Sequence, residues 1–347
     1  MLRGTTAATL TTVILSVLVC VALPPSQAFA QEHAGHAHHH MAVEQPAKLV
    51  TSDDAAAQIL LLRVGPLNLP ANTGHDAMPQ APELFWTIPL DGWLVSYAPR
   101  IVDGQGQPLP NNMLHHVAFW NTGRSDFLCP NKEEHIFGAG GEMNQWPALP
   151  GYGYEVRRGD RIRIATMFHN PADTAYPNAW LEIRIGYQPR KPGSGSAELH
   201  SVFPVWLDVQ QCADSGYDLN PGPNVRSGEF LFQQTGALLG LGGHLHDFGR
   251  RVEVLSEKRG EAIARLDAQL DPAGHILSMP IVNYLAQGGY KIASGERLRV
   301  TALYENTTGR TLPDGAMGIA VGYFLPDDSQ AMLTFRRQEK PASGRDK

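Results

Sequence analysis

Short apolar runs of strand length recur along most of the chain, and glycine, proline, asparagine or aspartate bounds each of them. Residues 161–169 and 180–187 alternate apolar and polar side chains, which predicts strands with one face in water and one in a core. With 35 glycines and 26 prolines as punctuation, the pattern favours an all-β sandwich over a helical fold. The further strand-length runs lie at 59–64, 84–88, 93–97, 113–120, 229–233, 237–246, 251–255, 297–305 and 317–325.

The composition changes most clearly at residues 188–196, where proline, glycine and serine replace the apolar runs. We therefore predict two β-domains, at 56–188 and 199–335, joined by a linker at 189–198 and followed by a charged tail at 336–347. A chain of 347 residues with 43% hydrophobic residues is long enough to give each domain a core of its own.

The amino-terminal segment has the features of a secretory signal peptide. Arg3 precedes an apolar stretch at 10–23, and Ala28 and Ala30 frame a small-x-small cleavage site. We predict a signal peptide at 1–30, cleavage after Ala30, and a secreted or periplasmic mature chain. No later stretch is apolar enough to enter a membrane.

Residues 31–55 are predicted to be a disordered, His-rich segment. The tract from His33 to Met41 mixes histidine and methionine, which suits loose capture of transition metals, although a simple solvated tail remains an alternative.

Charge and cysteine content limit the partners of the mature chain. A net charge of −6, with no basic run longer than Arg336-Arg337, argues against a nucleic-acid partner.

Signal cleavage removes Cys20 and leaves Cys129 and Cys212. An exported pair of cysteines can form a disulfide, but the sequence alone does not show whether these two approach each other.

His244 and His246 are the first candidates for chemistry. Residues i and i+2 of a strand point to the same face, so this pair can hold one metal ion without distorting the backbone. His115 and His116 lie inside another apolar run, where a buried imidazole without a partner costs a few kcal/mol, and His169 ends the alternating strand at 161–169. Adjacent strand residues face opposite ways, so joint ligation by His115 and His116 requires a local twist, a bulge or the use of different ring nitrogens. The alternative is that one of the two is a core histidine bonded to backbone.

Met317 follows an acidic turn at the start of a late strand run. A methionine there commonly packs in a core, but two imidazoles together with a thioether suit copper, because soft sulfur stabilises Cu(I). Asp247 either orients one of the imidazoles or begins a turn. The remaining histidines are predicted to be ordinary surface or hydrogen-bonding residues: His75, His135, His200 and His275.

The order of these residues across the two predicted domains resembles the type II copper, ascorbate-dependent monooxygenases. This family includes peptidylglycine α-hydroxylating monooxygenase and dopamine β-monooxygenase. The resemblance extends from about residue 59 to residue 335 and includes the stretch at 304–310 ahead of Met317. It implies two tandem antiparallel jelly-roll domains, with two coppers per chain on either side of a solvent-filled cleft.

The resemblance also implies different roles for two sets of metal ligands. The first triad (His115, His116 and His169) corresponds to the ligands of an electron-transfer copper. The second triad (His244, His246 and Met317) corresponds to the ligands of the catalytic copper that binds dioxygen. The implied reaction hydroxylates a substrate C–H bond, with O2 as oxidant and ascorbate or another one-electron reductant as cosubstrate.

The chain departs from the peptidylglycine enzymes at the positions that hold the peptide carboxylate. Those enzymes have arginine, asparagine and tyrosine where this chain has Gly242, Ile319 and Val321. The loss of these polar groups predicts a small or apolar organic substrate lying against the three replacements. Two alternatives remain, a non-catalytic copper-binding, storage or sensing protein on the same fold, and a jelly-roll binding module without metal.

Overall fold

The computed structural model describes residues 1, 44–143, 146, 149–190 and 199–336. From residue 44 onward these residues belong to one compact unit. The predicted cleavage site, the His33 to Met41 tract, residues 191–198 of the predicted linker and the tail from residue 337 lie outside the described residues.

The described chain is all-β, as the apolar pattern predicts, with 3₁₀ turns at Asn111–Met113 and Leu285–Gln287 and one α-helix, α1, at Ser329–Arg336. No helix among the described residues has the length and apolar character needed to cross a membrane. The strands are β1 Lys48–Asp54, β2 Ile59–Leu69, β3 Leu84–Thr87, β4 Gly92–Val102, β5 Leu114–Ser125, β6 Glu133–Ala139, β7 Tyr152–Val156, β8 Arg161–Phe168, β9 Tyr176–Pro189, β10 His200–Ser201, β11 Phe203–Asp208, β12 Tyr217–Leu219, β13 Gly222–Phe232, β14 Gly236–Leu245, β15 Gly249–Ser256, β16 Glu261–Asp267, β17 Gln269–Leu270, β18 Ile276–Ser278, β19 Ile281–Asn283, β20 Tyr290–Ile292, β21 Glu296–Asn306, β22 Leu312–Ala316 and β23 Gly318–Pro326.

The first half of the chain forms two sheets around one core. A six-stranded sheet has the order β1-β2-β9-β4-β7-β10, and a four-stranded sheet has the order β3-β8-β5-β6. Their inward side chains form a single cluster in which Tyr97 of β4 contacts Phe119 of β5 and Phe137 of β6, at ring-centroid distances of 5.5 and 4.8 Å. The alternation predicted at 161–169 appears in β8, where Ile162 and Ile164 are fully buried.

The second half also has two main sheets. One sheet has the order β11-β23-β14-β19, with β20 also paired to β14, and the other has the order β13-β21-β15-β16. Side chains from both sheets, including Leu238, Phe324, Val252 and Val300, form a second core. Strand pairs β12-β22 and β17-β18 lie outside these sheets.

The predicted disordered segment at 31–55 is wrong for its last residues, because Lys48–Asp54 form strand β1. This strand pairs antiparallel with β2 along its whole length, from Lys48 opposite Gly65 to Asp54 opposite Ile59. Its side chains are almost all exposed, so backbone hydrogen bonds to β2 hold it in place, and no apolar pattern marks it in the sequence. The linker also begins later than predicted, since Pro189 ends β9.

Two connections tie the halves together near the candidate site. Cys129 and Cys212 form a disulfide, which settles the pairing that the sequence leaves open and links the β5–β6 connection to the segment after β11. On β6, the ring of His135 stacks on the indole of Trp206 on β11, with centroids 3.6 Å apart.

Candidate metal centre

The first triad comes together at the start of β5 and the end of β8. Leu114 pairs with Phe168 and His116 with Met167, so His115 is an extra residue on β5 at an irregularity of the ladder. Such an irregularity is one of the local distortions that would let adjacent histidines turn toward one site. The ring of His115 lies 5.2 Å from that of His116 and 5.4 Å from that of His169.

The second triad forms where β14 ends and β23 begins. The rings of His244 and His246 have centroids 5.6 Å apart, and Met317 immediately precedes Gly318, which pairs with Leu245. A buried hydroxyl on β21 fixes this junction. Tyr304 Oη accepts the backbone N–H of His246 at 2.9 Å and that of Met317 at 3.1 Å, and it donates to the carbonyl of Met317.

The two triads are in contact, whereas the resemblance implied a solvent-filled cleft between them. The rings of His115 and His246 have centroids 4.9 Å apart, and those of His116 and His244 lie 6.3 Å apart. The disulfide and the His135–Trp206 stack hold neighbouring edges of the two halves together. The structure therefore presents one continuous cluster of histidines.

His75, predicted to be an ordinary surface or hydrogen-bonding histidine, belongs to this cluster. Its ring stacks on His115 with centroids 4.6 Å apart and planes 7° from parallel, and it lies 6.5 Å from the ring of His246. Its Nε2 is 3.0 Å from a carboxylate oxygen of Asp76. It lies in the connection between β2 and β3, where no regular spacing links it to the other histidines.

His135, predicted to be a surface or hydrogen-bonding histidine, is not at the surface, because its side chain is buried against two tryptophans. The rings of Trp206 and Trp120 lie 3.6 and 4.7 Å from it. His200 and His275 are at the surface, as predicted, and His275 Nδ1 forms a 2.9 Å hydrogen bond with Asp271.

Burial keeps the central imidazoles neutral. Desolvation, followed by the neighbouring histidines, holds the pKa values of His115 and His246 well below the usual 6.5. Burial also lowers the pKa of His169, whose Nε2 contacts the carbonyl oxygen of Asn112. Neutral imidazole is the form that binds a metal ion.

Two ring nitrogens of the cluster lack partners. His115 Nε2 and His246 Nε2 are buried, and neither has a hydrogen-bond partner among the described residues. An unsatisfied buried polar atom typically costs about 1–3 kcal/mol. A metal ion bound to each nitrogen would remove that cost. Both ring nitrogens are therefore available to bind a metal.

A carboxylate that the sequence did not single out orients His244. Glu142, in the connection after β6, places Oε1 2.6 Å from His244 Nδ1. Because a carboxylate accepts the Nδ1 hydrogen, Nε2 of His244 keeps its lone pair for a metal. Asp247 does not take this role. Its Oδ1 accepts the N–H of Ile276 at 3.0 Å, and Asp247 begins a turn in which the Gly249 N–H donates to the His246 carbonyl at 3.0 Å.

The space predicted for substrate beside Gly242, Ile319 and Val321 is filled by the protein itself. Ile319 and Val321 pack with Met317 and Met143 in one buried cluster, and Trp146 and Trp206 cover it. A Cβ built on Gly242 would lie 2.5 Å from the sulfur of Met143 and 3.2 Å from the Trp146 ring. The predicted apolar pocket is therefore closed in this structure by side chains of the first half.

The cluster provides donor atoms that metals bind, but not a preformed set of ligands. Among the described residues, no three histidine, cysteine, aspartate or glutamate side chains form a ready metal-binding group. Two imidazoles on one ion, with metal–nitrogen bonds of about 2.0–2.1 Å, have ring centroids roughly 5 Å apart. The spacings within the triads, 5.2 and 5.4 Å in the first and 5.6 Å in the second, match this value. Imidazoles with a thioether fit copper in donor type.

Comparisons with known proteins leave the family open. No protein-family profile and no curated protein matches the chain. The solved structure of PNGF-II is 10% identical, with 82% of this chain and 63% of that chain aligned and a TM-score of 0.34. The major capsid protein P2 of bacteriophage PM2 is 9% identical over 74% of this chain and 96% of its own, with a TM-score of 0.29. The mavirus major capsid protein is 8% identical over 92% and 93%, with a TM-score of 0.21. At these values the likenesses assign neither a family nor a function.

Proposed function

We propose that this protein is an exported, copper-dependent monooxygenase that hydroxylates a C–H bond of a small or apolar organic molecule. O2 is the oxidant, and ascorbate or another one-electron reductant is the cosubstrate. One observation carries the proposal. Histidines far apart in sequence meet in one largely buried cluster, in which His115 Nε2 and His246 Nε2 have no partner among the described residues. The Tyr304 hydroxyl joins the backbone of His246 to that of Met317.

The proposed fold is a tandem pair of antiparallel jelly rolls, like that of the copper monooxygenases that the motif order resembles. It is supported by the two pairs of sheets, each with its own buried core. One pair is built from residues before 191 together with the two-residue strand β10, and the other pair from residues after 201. In this arrangement the first triad holds an electron-transfer copper and the second triad holds the catalytic copper.

When bound, copper would supply one-electron transfer and activation of dioxygen. The contributions of the chain are positional. Glu142 holds the Nδ1–H of His244, and the Tyr304 hydroxyl fixes the backbone of His246 and Met317. Burial keeps His115 and His246 neutral and excludes water from their ring nitrogens.

A second candidate is a non-catalytic copper-binding protein for storage or sensing. It is favoured by the closed pocket, where Met143 and Trp146 occupy the space beside Gly242 that a substrate would need. The His-rich tract ahead of residue 44 is consistent with the same role.

Metal content and oxygen consumption distinguish the two. A chain starting at Glu44, which lacks the His-rich tract, should bind two coppers and consume O2 when ascorbate and a small apolar substrate are supplied. Met317→Ala should abolish oxygen consumption and retain the copper of the first triad, whereas Met279→Ala, in the second core, should change neither. Two coppers without oxygen consumption would support the storage role, and one copper or none would reject the two-site assignment.

A further inference from the structure

We propose that His75 is a positioning residue of the first triad, whose ring holds the His115 imidazole by stacking and does not itself bind the metal. This inference rests on the proposed copper site. It adds to that site a residue from the connection between β2 and β3, outside both triads.

The rings of His75 and His115 form a parallel stack. Their centroids are 4.6 Å apart and their planes are 7° from parallel, which is an offset-stacked arrangement that planar aromatic groups prefer. The lone pair of an imidazole nitrogen lies in the plane of its own ring. Two rings in separate, parallel planes therefore cannot direct their lone pairs at one ion. In this arrangement His75 contributes the face of its ring, and His115 keeps its nitrogens for the metal.

The connection that carries His75 is fixed to the strand end that carries His169. Thr73 and Asn170 exchange two backbone hydrogen bonds of 2.8 Å, and Asn170 directly follows His169. The Asn170 side chain donates to the carbonyl of Leu69, the last residue of β2, at 3.0 Å. Both ends of the segment before His75 are thus tied to the end of β8.

The side chain of Gln80 fixes the other side of the connection. Its Oε1 accepts the N–H of Phe168 at 2.8 Å, and its Nε2 donates to the carbonyl of Phe168 at 2.9 Å. The same Nε2 donates to the carbonyls of His75 and Met78, at 3.1 Å each. One amide therefore joins the backbone of His75 to the last residue of β8, so the fold determines where the His75 ring lies.

The contact with Asp76 does not explain the position of His75. Its Nε2 lies 3.0 Å from a carboxylate oxygen of Asp76, but the Asp76 side chain is 70% exposed. Exposed ion pairs contribute little to holding a side chain in place. The stack with His115 and the bonds of the connection are the contacts that hold this ring.

The His115 ring needs support of this kind. His244 is oriented by Glu142 at its Nδ1, and Nε2 of His169 contacts a backbone carbonyl. In contrast, Nε2 of His115 is buried and has no hydrogen-bond partner among the described residues. The stack fixes the plane of the His115 ring and hence the plane in which its lone pair points. Neighbours that orient a metal-binding imidazole in advance raise its affinity for the metal.

Two substitutions at position 75 separate stacking from metal binding. His75→Ala removes the ring, whereas His75→Phe keeps a planar ring and removes both nitrogens. The His75 side chain is 34% exposed, so the larger phenyl ring has room on the solvent side. His275→Ala is the control, because His275 is an exposed histidine whose partner is Asp271.

NMR of the histidine rings tests the stack in the metal-free protein. The full chain is labelled with ¹⁵N at histidine, and His115→Gln assigns the His115 ring signals. A ring stacked on His115 shields its ring protons, so these signals should move downfield in His75→Ala and stay shielded in His75→Phe. Unchanged His115 signals in His75→Ala would show that the rings are apart in solution and would overturn the proposal.

A Cu(I) titration of the same labelled proteins tests the consequence for the metal. Performed anaerobically against a Cu(I) chelator, it reads the occupancy of the first triad from the His115 ring nitrogens, separately from the other histidines. We expect His75→Ala to weaken Cu(I) binding at His115 by about tenfold or more. His75→Phe and His275→Ala should keep the wild-type affinity.

The outcomes distinguish His75 from the copper site on which it depends. An unchanged affinity in His75→Ala would overturn the role of His75 and leave the copper site standing. Equal losses in His75→Ala and His75→Phe would overturn positioning by stacking, because the nitrogens and not the ring would then matter. No response of the His115 nitrogens to Cu(I) in the wild type would overturn both the first copper site and the role of His75.

Discussion

The imidazole rings of His115 and His246 have centroids 4.9 Å apart and planes tilted by 52°, although the residues lie on different sheets. His115 is assigned to the electron-transfer triad and His246 to the catalytic triad. Groups in contact share an interaction free energy, whereas groups separated by a solvent-filled cleft do not.

A double-mutant cycle with His115→Ala and His246→Ala should therefore be non-additive. For the metal-free protein we expect a coupling of at least about 0.5 kcal/mol in the free energy of unfolding, measured by chemical denaturation. His115→Ala combined with His275→Ala is the control and should be additive, because His275 is exposed and bonded to Asp271. Additivity in both cycles would show that the triads are apart in solution.

The hydroxyl of Tyr304 is predicted to be essential for the geometry of the second triad. It accepts two backbone N–H groups and donates to one carbonyl, and its ring is 3% exposed. In Tyr304→Phe these groups lose their partner in a buried position, so we expect a loss of roughly 2–4 kcal/mol in the free energy of unfolding. Copper affinity at the second triad should fall as well, because His246 and Met317 are no longer tied to one atom.

Tyr284→Phe is the matched control for Tyr304→Phe. The Tyr284 hydroxyl donates one hydrogen bond, at 2.7 Å, to the carbonyl of Ile263 and touches neither triad. We expect a loss of about 1 kcal/mol and an unchanged copper affinity. Equal effects of the two substitutions on copper affinity would contradict the positional role of Tyr304.

The Cys129–Cys212 disulfide should contribute to the stability of the metal-free protein. It closes a loop of 83 residues between the two halves. A native disulfide that closes a loop of this length typically stabilises the folded protein by about 2–5 kcal/mol. We expect Cys129→Ser with Cys212→Ser to lower the free energy of unfolding by this amount. The wild type under a reducing agent should match the variant, and a reductant effect that persists in the variant would point to a different cause.

Strands could be predicted from the sequence where one face is buried, because apolar and polar residues then alternate along the strand. In β8, Ile162 and Ile164 point inward, and the polar residues between them are exposed or half-buried, so two-residue periodicity marks the strand. Strand β1 has no buried face and is held by its backbone bonds to β2, which no local pattern encodes. The adjacency of His115 and His116 left a twist, a bulge or different ring nitrogens open, and the register of the ladder shifts there by one residue, as in a bulge.

The proximity of the histidines within each triad was predictable, but their surroundings were not. His244 and His246 are marked by their own spacing. Glu142, Met143 and His75 reach the site from loops through contacts between distant segments, and such contacts leave no periodic signal. Gly242 is the clearest case. The absence of a side chain predicted space for a substrate, yet the sulfur of Met143 fills that space.

Asp208 is predicted to make stability depend on pH in the acidic range. It is 1% exposed at the end of β11, and burial raises its pKa to about 6, although hydrogen bonds from Ser215, the Gln210 N–H and Trp206 oppose the shift. Between pH 3.8, its ordinary pKa, and pH 6, the folded protein holds a proton that the unfolded chain has released. The Asp208 contribution to the free energy of unfolding therefore falls as pH rises through this window, by about 3 kcal/mol in total.

Asp208→Asn isolates this contribution, because the asparagine is neutral at every pH and keeps the Oδ1 acceptor for the Gln210 N–H, 2.8 Å away. The variant should match the wild type below pH 4 and exceed its free energy of unfolding by up to about 3 kcal/mol at pH 7. Other titrating groups are common to both proteins and cancel in the difference. Asp54→Asn is the control, since that exposed carboxylate also accepts a backbone N–H, from Ala57 at 3.0 Å. A wild-type minus Asp208→Asn difference that is constant from pH 4 to pH 7 would show that Asp208 ionises in the folded protein as readily as in the unfolded chain.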